Sequence, residues 1–281
     1  MSWLVAGLAF WFVAWAVNVG LARSSYAASI LVRFAVPLLF GLSLIALWEA
    51  LVRHFEVSPI ILPPPSTVFA TFVASTDILW LDFKQTVLKG ALTGYLIGAC
   101  AAFVTAIAID RSSFLTRGLL PIGNFVAALP IVGIAPILVS WFGFDWHSKA
   151  AVVVVMVYFP LLVNTVQGLQ ETDAMSRDLM RTYAASYTQT LIKLRLPTAM
   201  PFVFNGLKIA TTLALIGAIV AEYFGSPTQG MGFRISTGVG SLSIDLVWAE
   251  IAVSALVGSA FYALVALIER RVTFWHPSQR G

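Results

Sequence analysis

Charged side chains are scarce in this sequence. Aspartate, glutamate, lysine and arginine make up 11% of the 281 residues, whereas an average soluble domain has about 25%. Hydrophobic residues make up 59%. This composition excludes an ordinary soluble domain and predicts an integral membrane protein in which almost every residue belongs to one membrane domain. The net charge of +4 does not indicate nucleic-acid binding, because the basic residues are scattered at the ends of apolar segments.

Residue types that carry chemistry are also rare. Cys100 is the only cysteine, so no disulfide can form within the chain. His54, His147 and His276 are far apart in sequence and lack the close spacing of a metal or catalytic cluster. No Gly-Lys dipeptide occurs, which excludes the phosphate-binding loop G-x-x-x-x-G-K-[ST]. The sequence therefore argues against an enzyme, and any ATP hydrolysis must come from a separate subunit.

Seven apolar segments are long enough to cross about 30 Å of hydrocarbon as helices, so the expected fold class is all-α. They cover residues 3–21, 34–52, 87–109, 118–141, 150–168, 201–222 and 246–268. The first has no lysine or arginine before Arg23. A secretory signal begins with a basic region, so we interpret this segment as a retained helix. The sequence leaves open whether it crosses the membrane or lies on the surface.

The distribution of basic residues predicts the orientation of the spans. Eleven basic residues fall in segments on one side of the membrane: Arg23, Arg33, Arg111, Arg117, Arg177, Arg181, Lys193, Arg195, Arg270, Arg271 and Arg280. Four fall on the other side: Arg53, Lys84, Lys149 and Arg234. Lysine and arginine are enriched in cytoplasmic segments, so the larger group lies inside. The loop 172–197 and the C-terminus are then cytoplasmic, and the N-terminus is outside.

The segment from Ser176 to Pro197 is the longest one in the middle of the chain that cannot lie in a bilayer. It carries Arg177, Asp178, Arg181, Lys193 and Arg195, and each charge at the membrane centre would cost about 2.5–3.5 kcal/mol. Apolar and aromatic side chains nevertheless recur on one helical face, namely Leu179, Met180, Tyr183 and Tyr187. Such a face needs a docking surface. Periodicity alone allows either the protein's own membrane helices or a partner.

This segment resembles the cytoplasmic coupling segment of permease subunits in binding-protein-dependent ABC importers. That family's signature reads E-A-A, three residues, G, nine residues, I-x-L-P, and the spacing is kept here. The corresponding residues are Asp178, Leu179 and Met180, then Ala184 followed by Ala185 and Ser186, and finally Leu194, Arg195, Leu196 and Pro197. The main departure is alanine for glycine at Ala184. Alanine accepts a positive φ only with strain, so we expect a more continuous helix here.

Other stretches resemble the nitrate, sulfonate and taurine branch of the same family. They are L-P-P-P-S-T-V-F, residues 128–143 with the following F-D-W-H-S-K, residues 158–165 and residues 221–232. Together with the coupling segment they cover residues 35–277. The resemblance implies a six-helix permease domain at 34–281, with its coupling loop at 172–197. Residues 1–33 are then an additional N-terminal transmembrane helix and connector.

The resemblance also implies partners. Two copies of an ABC ATPase subunit would bind ATP and Mg, and each would hold one coupling helix in a groove. Leu179, Met180, Tyr183 and Tyr187 would be the groove-facing anchors. Asp178 would pair with a basic residue of the ATPase, or locally with Arg181. The other expected partners are a second copy of the permease, a periplasmic substrate-binding protein and membrane lipid, with no nucleic acid.

Irregular backbone marks the candidate translocation pathway. The span 118–141 contains three prolines, each of which removes a helical hydrogen bond, so we expect a kink or local unwinding. Such backbone is tolerated at membrane depth where it lines a cavity or is buried in protein. Its candidate residues are Pro130 and Pro136, with Pro121, Asn124 and Ser140. Plain helix packing through small residues is the alternative.

Two further residues are pathway candidates. Asn164 lies one helical turn after Pro160 in the next span, and Glu222 lies near the outer end of 201–222. Glu222 either gates the pathway or is a solvated carboxylate at a helix end. No basic residue lies at mid-depth, so the sequence offers no obvious donor for an anionic substrate.

The sequence therefore predicts the permease subunit of an ATP-driven importer. One rival is a secondary transporter driven by an ion gradient, which predicts carboxylates at mid-membrane depth. Another is a membrane enzyme or a non-enzymatic scaffold, which predicts a chemical cluster or a large soluble domain. The substrate is not determined by the sequence.

Overall fold

The computed structural model describes residues 2–127, 129–225 and 228–276, and it is helical throughout. Within those residues there is no strand, which confirms the all-α prediction. The helices are α1 (Ser2–Arg23), α2 (Ile30–His54), α3 (Pro65–Ala74), α4 (Thr76–Phe83), α5 (Thr93–Arg111), α6 (Ser113–Ala127), α7 (Ile131–Phe142), α8 (Trp146–Gln170), α9 (Ala174–Thr182), α10 (Tyr187–Thr190), α11 (Leu196–Phe224), α12 (Met231–Gly240) and α13 (Ile244–Val272). Two π-helical segments, Lys84–Leu92 and Leu191–Arg195, join α4 to α5 and α10 to α11.

Six helical stretches in the described part of the chain are long and apolar enough to cross a membrane. They are Trp3–Arg23, Ile30–His54, Thr76–Arg111, Trp146–Gln170, Tyr187–Phe224 and Ile244–Val272. Each contains one of the seven predicted segments. Some helices begin before the predicted apolar segment, by up to about fourteen residues. This happens where an amphipathic or π-helical turn precedes the apolar span, as in Thr76–Arg111 and Tyr187–Phe224.

The seventh predicted span, 118–141, is not one helix. It is divided between α6 and α7, which are 15 and 12 residues long. Pro130 precedes the first residue of α7 with extended backbone, φ −68° and ψ 114°. A proline has no N–H to continue the helix, and it disfavours helical geometry in the residue before it. Pro121 and Pro136, in contrast, lie inside α6 and α7.

The two short helices nevertheless connect opposite ends of α11. The preceding helix α5 ends beside Asp110, whose carboxylate binds Arg195 just before α11 begins. The following helix α8 begins near Lys149, whose ammonium donates to the carbonyl of Gly225 just after α11 ends. Helix α11 has 29 residues, or about 43 Å at 1.5 Å per residue. A chain that joins these two ends covers the length of α11, so α6 and α7 occupy the place of the predicted span as a pair.

The chain divides into two compact units. The first comprises Met1–Thr76 with Thr237–Ile251, and its centre is the antiparallel pair α1 and α2. A Cβ on Gly7 would overlap the side chain of Ala50, so the two helices approach closely there. Glu49 of α2 fixes the start of α3 by accepting from the backbone N–H and hydroxyl of Ser66, at 2.9 and 2.8 Å.

The second unit comprises Asp77–Ser236 with Ala252–Gly281. Helices α5, α8 and α11 pack against one another through small residues, which lets their backbones approach. A Cβ on Gly94 of α5 would lie 2.7 Å from the carbonyl oxygen of Ala150 in α8. A Cβ on Gly206 of α11 would lie 2.8 Å from the side chain of Leu161 in α8. The core of this unit is therefore tight, and it holds the ends of its helices in fixed positions.

Candidate functional site

The coupling segment consists of two short helices joined by a sharp turn. Helix α9 begins after Asp173, whose carboxylate accepts from the backbone N–H of Ser176 at 3.1 Å. Ala184 then has a positive φ of 50°. Helix α10 begins after Ser186, which forms a capping box with Gln189. The expected continuous helix is therefore wrong. The chain turns at Ala184 in a left-handed conformation, which the family's glycine would favour. The turn forms here because the capping box fixes the start of a new helix two residues later.

Helix α9 exposes an apolar face that nothing in the described chain covers. Leu179 is 55% exposed and Tyr183 is 77% exposed, whereas Met180 is half-buried. Met175, one turn before Leu179, is 80% exposed and belongs to the same face. Sequence reasoning missed Met175, although its spacing of four from Leu179 was the signal. Asp178 pairs with Arg181 of the same helix at 3.2 Å, so its local pairing is the one observed.

Tyr187 does not share that exposed face. Its hydroxyl donates to Oδ2 of Asp110 at 2.8 Å, and the Arg111 guanidinium lies 5.6 Å from the centre of its ring. Both contacts are to the C-terminal end of α5. Of the four residues predicted to face outward, Tyr187 is thus the one that bonds to the end of α5, and it is 38% exposed.

Arg195 completes a cluster with Asp110 and Tyr187, which we call the inner clasp. Its two terminal nitrogens donate to the two carboxylate oxygens of Asp110, at 2.7 and 2.5 Å. It also donates to the carbonyl oxygen of Leu169, near the end of α8, at 2.8 Å. Arg195 is only 14% exposed and Asp110 only 6%. The inner clasp therefore ties the ends of α5 and α8 to the turn that leads into α11. Asp110 could not be found from sequence, because it lies 85 residues from Arg195.

The remaining coupling residues connect the clasp to the membrane. Leu196 and Pro197 are the first two residues of α11, where a proline is tolerated because the first turn has no partner for its N–H. Both side chains are half-buried. Ala185 is half-buried and Ser186 exposed at the turn between α9 and α10. One short segment therefore connects α9 to the 29-residue helix α11.

One pathway candidate, Asn164, lies in α8 one turn after Pro160. The Asn164 side chain donates to the carbonyl of Pro160 at 2.8 Å and accepts from Asn205 of α11 at 3.1 Å. Pro160 also lines a cavity of about 180 Å³. The other residues that line it are apolar: Val126, Leu129, Ile131, Ile134, Val155, Met156 and Leu213. The break between α6 and α7 therefore opens onto an uncharged space between α8 and α11.

The other residues predicted for the pathway are arranged differently. Pro130 lies at the break itself and is exposed, as are Pro136 and Ser140 of α7. The side chain of Asn124 lies outside the part that the structure describes. Glu222 is 17 residues beyond Asn205 in α11, or about 25 Å along the helix axis. The structure therefore does not bring Glu222 together with Asn164.

Glu222 lies instead in a buried cluster at the C-terminal end of α11. Its Oε2 accepts from the hydroxyl of Thr86 at 2.7 Å and from the backbone N–H of Gly232 at 3.1 Å. The Thr86 oxygen in turn accepts from the backbone N–H of Met231 at 2.8 Å. Glu222 is 1% exposed and Thr86 is fully buried. Glu222 is therefore not a solvated carboxylate at a helix end.

Asp82 extends this cluster, which we call the outer clasp. Its carboxylate accepts from the backbone N–H of Gly230 at 2.6 Å and from Nε of Arg234 at 2.8 Å. Lys149, also fully buried, donates to the backbone carbonyls of Phe144 and Gly225. The outer clasp thus fixes the connection between α11 and α12 against α4, the π-helical segment after it and the start of α8. Sequence reasoning missed Asp82, Thr86 and Lys149, because their partners are more than seventy residues away.

Comparison with known proteins places this arrangement in a family. Residues 94–274 match the family described as "Binding-protein-dependent transport system inner membrane component". A probable ABC transporter permease protein of Haemophilus influenzae is 31% identical over 82% of this chain and 94% of its own length. The formylaminopyrimidine transport permease protein of Halalkalibacterium halodurans is 30% identical over 86% of this chain and 96% of its own. The taurine transport system permease protein of Escherichia coli is 26% identical over 83% and 86%.

These matches confirm the resemblance to importer permeases of the sulfonate, taurine and nitrate type. In this family the ATPase is a separate subunit and the permease binds no cofactor itself. An ATPase and a binding protein are therefore the partners, and the location is the inner membrane, crossed several times. The chain belongs to the family of inner-membrane permease components of binding-protein-dependent ABC transport systems.

Proposed function

We propose that two copies of this permease form the translocation pathway for a small solute, with one ATPase bound to each copy. The loop 172–197 and the C-terminus lie in the cytoplasm, and a periplasmic binding protein delivers the solute on the opposite side. The excess of basic residues on the side of the coupling segment supports this orientation. The six-helix domain at 34–281 performs this function, and residues 1–33 add a further membrane helix to it.

The observation that carries the proposal is the contrast between the two sides of the coupling segment. Met175, Leu179 and Tyr183 expose an apolar face on the α9 side, while Tyr187 and Arg195 are fixed to the permease. An exposed apolar helical face of this kind fits a groove in a partner. The inner clasp attaches the coupling segment to the ends of α5 and α8. Movement of the coupling segment therefore moves these helices as well.

The mechanism follows from this attachment of the coupling segment to the membrane helices. When ATP closes the ATPase pair, the two α9 helices move with their grooves. The inner clasp passes that movement to α5, α8 and α11, which shift as a packed group because their core contains little free space. The permease dimer then changes from inward-facing to outward-facing. The outer clasp holds the connection at the far end of α11 in place.

The lining of the proposed pathway has no charged group with which to select a solute. The cavity at the break between α6 and α7 is lined by uncharged residues, and Asn164 and Asn205 supply polar groups one to two turns away. Relatives are named for formylaminopyrimidine, aliphatic sulfonates, taurine and nitrate. We therefore propose a small nitrogen- or sulfur-containing solute, chosen by the binding protein rather than by a charged site in the permease.

Co-purification of the ATPase tests the coupling surface. The tagged permease is purified from native membranes in detergent, and the ATPase that accompanies it is measured by activity with and without periplasmic extract. We expect an ATPase whose hydrolysis rises when the extract is added. The double variant Leu179→Asp, Tyr183→Asp should lose the ATPase, because two charges cannot enter an apolar groove without losing their water.

The matched control is Thr188→Asp, which adds a charge at an exposed position of α10 away from the apolar face of α9. It should keep the ATPase. If the double variant co-purifies with as much ATPase as the control, the exposed face of α9 is not the coupling surface. If the unaltered permease brings down no ATPase at all, the ion-gradient transporter becomes the better hypothesis.

A further inference from the structure

A groove of about 380 Å³ runs between α1 and α2, outside the part of the chain matched by the family. It is lined from α1 by Trp15, Asn18, Val19 and Ala22 and from α2 by Val36, Pro37 and Phe40. Six of these seven residues are apolar. Such a lining suits a hydrocarbon chain. Its one polar residue, Asn18, requires a different explanation.

Asn18 is the polar member of the groove. It is 8% exposed, and its Oδ1 has no hydrogen-bond partner. A buried amide oxygen without a partner is unfavourable, because it has given up its hydrogen bonds to water. Pro37, on the facing helix, has no N–H to offer the carbonyl of Arg33 one turn earlier. The groove therefore contains one buried polar side chain that a bound molecule can satisfy.

The end of the groove is positively charged. Arg23 directly follows the lining residue Ala22, and Arg33 lies three residues before Val36, or about 4.5 Å along the helix. Both arginines are exposed. The turn between them is tight, since Ser24 donates to the carbonyl of Leu21 at 2.8 Å and the residues up to Ser29 form successive turns. The two guanidinium groups therefore lie at the same end of the helix pair.

We propose that this groove binds an anionic phospholipid of the cytoplasmic leaflet. Arg23 and Arg33 bind the phosphate, and one acyl chain lies along the apolar lining. Asn18 lies five residues deeper than Arg23, about 7.5 Å, at the level of the ester groups. Its amide can rotate to donate to an ester carbonyl. Basic pockets between membrane helices on the cytoplasmic side are suited to anionic head groups.

The position on the cytoplasmic side rests on the orientation proposed above, but lipid binding itself does not require transport. Native mass spectrometry of the purified full-length permease, titrated with phosphatidylglycerol or phosphatidylcholine, measures binding directly. We expect phosphatidylglycerol to be retained about tenfold better. Ala22→Phe should abolish that retention by filling the groove. Ala9→Phe, on an exposed part of α1 outside the lining, is its matched control and should bind normally.

The charge and amide contributions are tested separately. The double variant Arg23→Gln, Arg33→Gln should bind the two lipids equally, whereas Arg177→Gln in α9 should keep the preference. Asn18→Leu should weaken retention of both lipids. Equal binding of the two lipids by the unaltered protein would overturn the proposal, as would a preference that survives the double arginine variant. A change of oligomeric state in Ala22→Phe with unchanged lipid binding would show that a second copy of the chain covers the groove instead.

Discussion

Arg195 and Asp110 form a two-pronged ion pair between the coupling segment and the end of α5. The two terminal guanidinium nitrogens lie 2.7 and 2.5 Å from the two carboxylate oxygens. Arginine suits this geometry because its donors form a planar fork that matches a carboxylate. The same side chain reaches the carbonyl of Leu169, so one residue joins three helices. The pair therefore fixes the start of α11 to the ends of α5 and α8, and its contribution to stability can be measured.

Asp110→Asn should destabilise the permease strongly. The substitution leaves Arg195 charged, largely buried and without its ion partner, which costs about 3–5 kcal/mol. For a chain of this size that lowers the apparent melting temperature by roughly 10 °C. Thermal unfolding in detergent, followed by intrinsic fluorescence or loss of monodisperse protein, measures the change.

The matched control for this pair is Asp178→Asn. Asp178 also pairs with an arginine, but the partners are 70% and 83% exposed, and exposed pairs contribute little. Its melting temperature should stay within about 1 °C of the unaltered protein. If the two variants melt at the same temperature, burial of the inner clasp does not stabilise the permease.

Tyr187→Phe and Tyr183→Phe should behave differently although the two tyrosines are one helical turn apart in sequence. The first variant removes a hydrogen bond to Asp110 at 2.8 Å, and a bond to a charged group contributes about 1.5–3 kcal/mol. The second removes a hydroxyl from a ring that is 77% exposed. We expect a lower melting temperature for Tyr187→Phe alone, together with weaker stimulation of the ATPase by loaded binding protein. Equal effects would show that Tyr187 is not part of the clasp.

The two tyrosines also show where sequence reasoning reached its limit. Leu179, Tyr183 and Tyr187 are spaced four residues apart, which predicts one face if the helix is continuous. The left-handed residue Ala184 interrupts that helix, so Tyr187 turns toward α5 while Tyr183 stays exposed. The spacing and charge of the coupling segment are local properties, so the sequence alone could indicate them. The turn within it was not predicted, because alanine disfavours the backbone conformation that the surrounding structure imposes.

The membrane spans also combine features that the sequence predicts with features that it does not. Long apolar segments are recognisable because hydrocarbon thickness sets their length, and six of the seven predicted spans are long helices in the described chain. Three prolines in 118–141 predicted irregular backbone there, but only Pro130 lies at a break between helices. Which proline does so depends on packing against α8 and α11. The outer clasp was equally hidden, because Asp82 and Gly230 are 148 residues apart.

Thr86→Val should destabilise the outer clasp. The hydroxyl of Thr86 donates to Glu222 and accepts from the N–H of Met231, and valine has the same shape but can do neither. The buried N–H of Met231 is left without its partner, which costs about 1–3 kcal/mol, and Glu222 loses one of its two donors. The melting temperature should fall by several degrees.

Thr211→Val is the control for that substitution. Thr211 is also fully buried, but its hydroxyl only donates to the carbonyl of Lys208 in its own helix, at 2.7 Å. Removing a single local bond leaves no backbone donor without a partner, so the fall should be much smaller. If both variants lose the same stability, the effect reflects the loss of any buried hydroxyl and not the clasp.

Ala184→Gly should stabilise the coupling segment. Ala184 has a φ of 50°, and the left-handed conformation costs an L-residue with a Cβ roughly 1–2 kcal/mol that glycine does not incur. Glycine also makes the unfolded chain more flexible, which offsets part of this gain. We therefore expect a net gain of about 1 kcal/mol, measured as slower hydrogen exchange in α9 and α10 and slower proteolysis of the loop.

Ala70→Gly, at an exposed helical position in α3, should instead lose about 0.5–1 kcal/mol. Because the two substitutions are chemically identical, opposite signs would isolate the backbone conformation as the cause. A loss at both sites would mean that the turn at Ala184 is not strained, and that the alanine costs this permease nothing relative to the family's glycine.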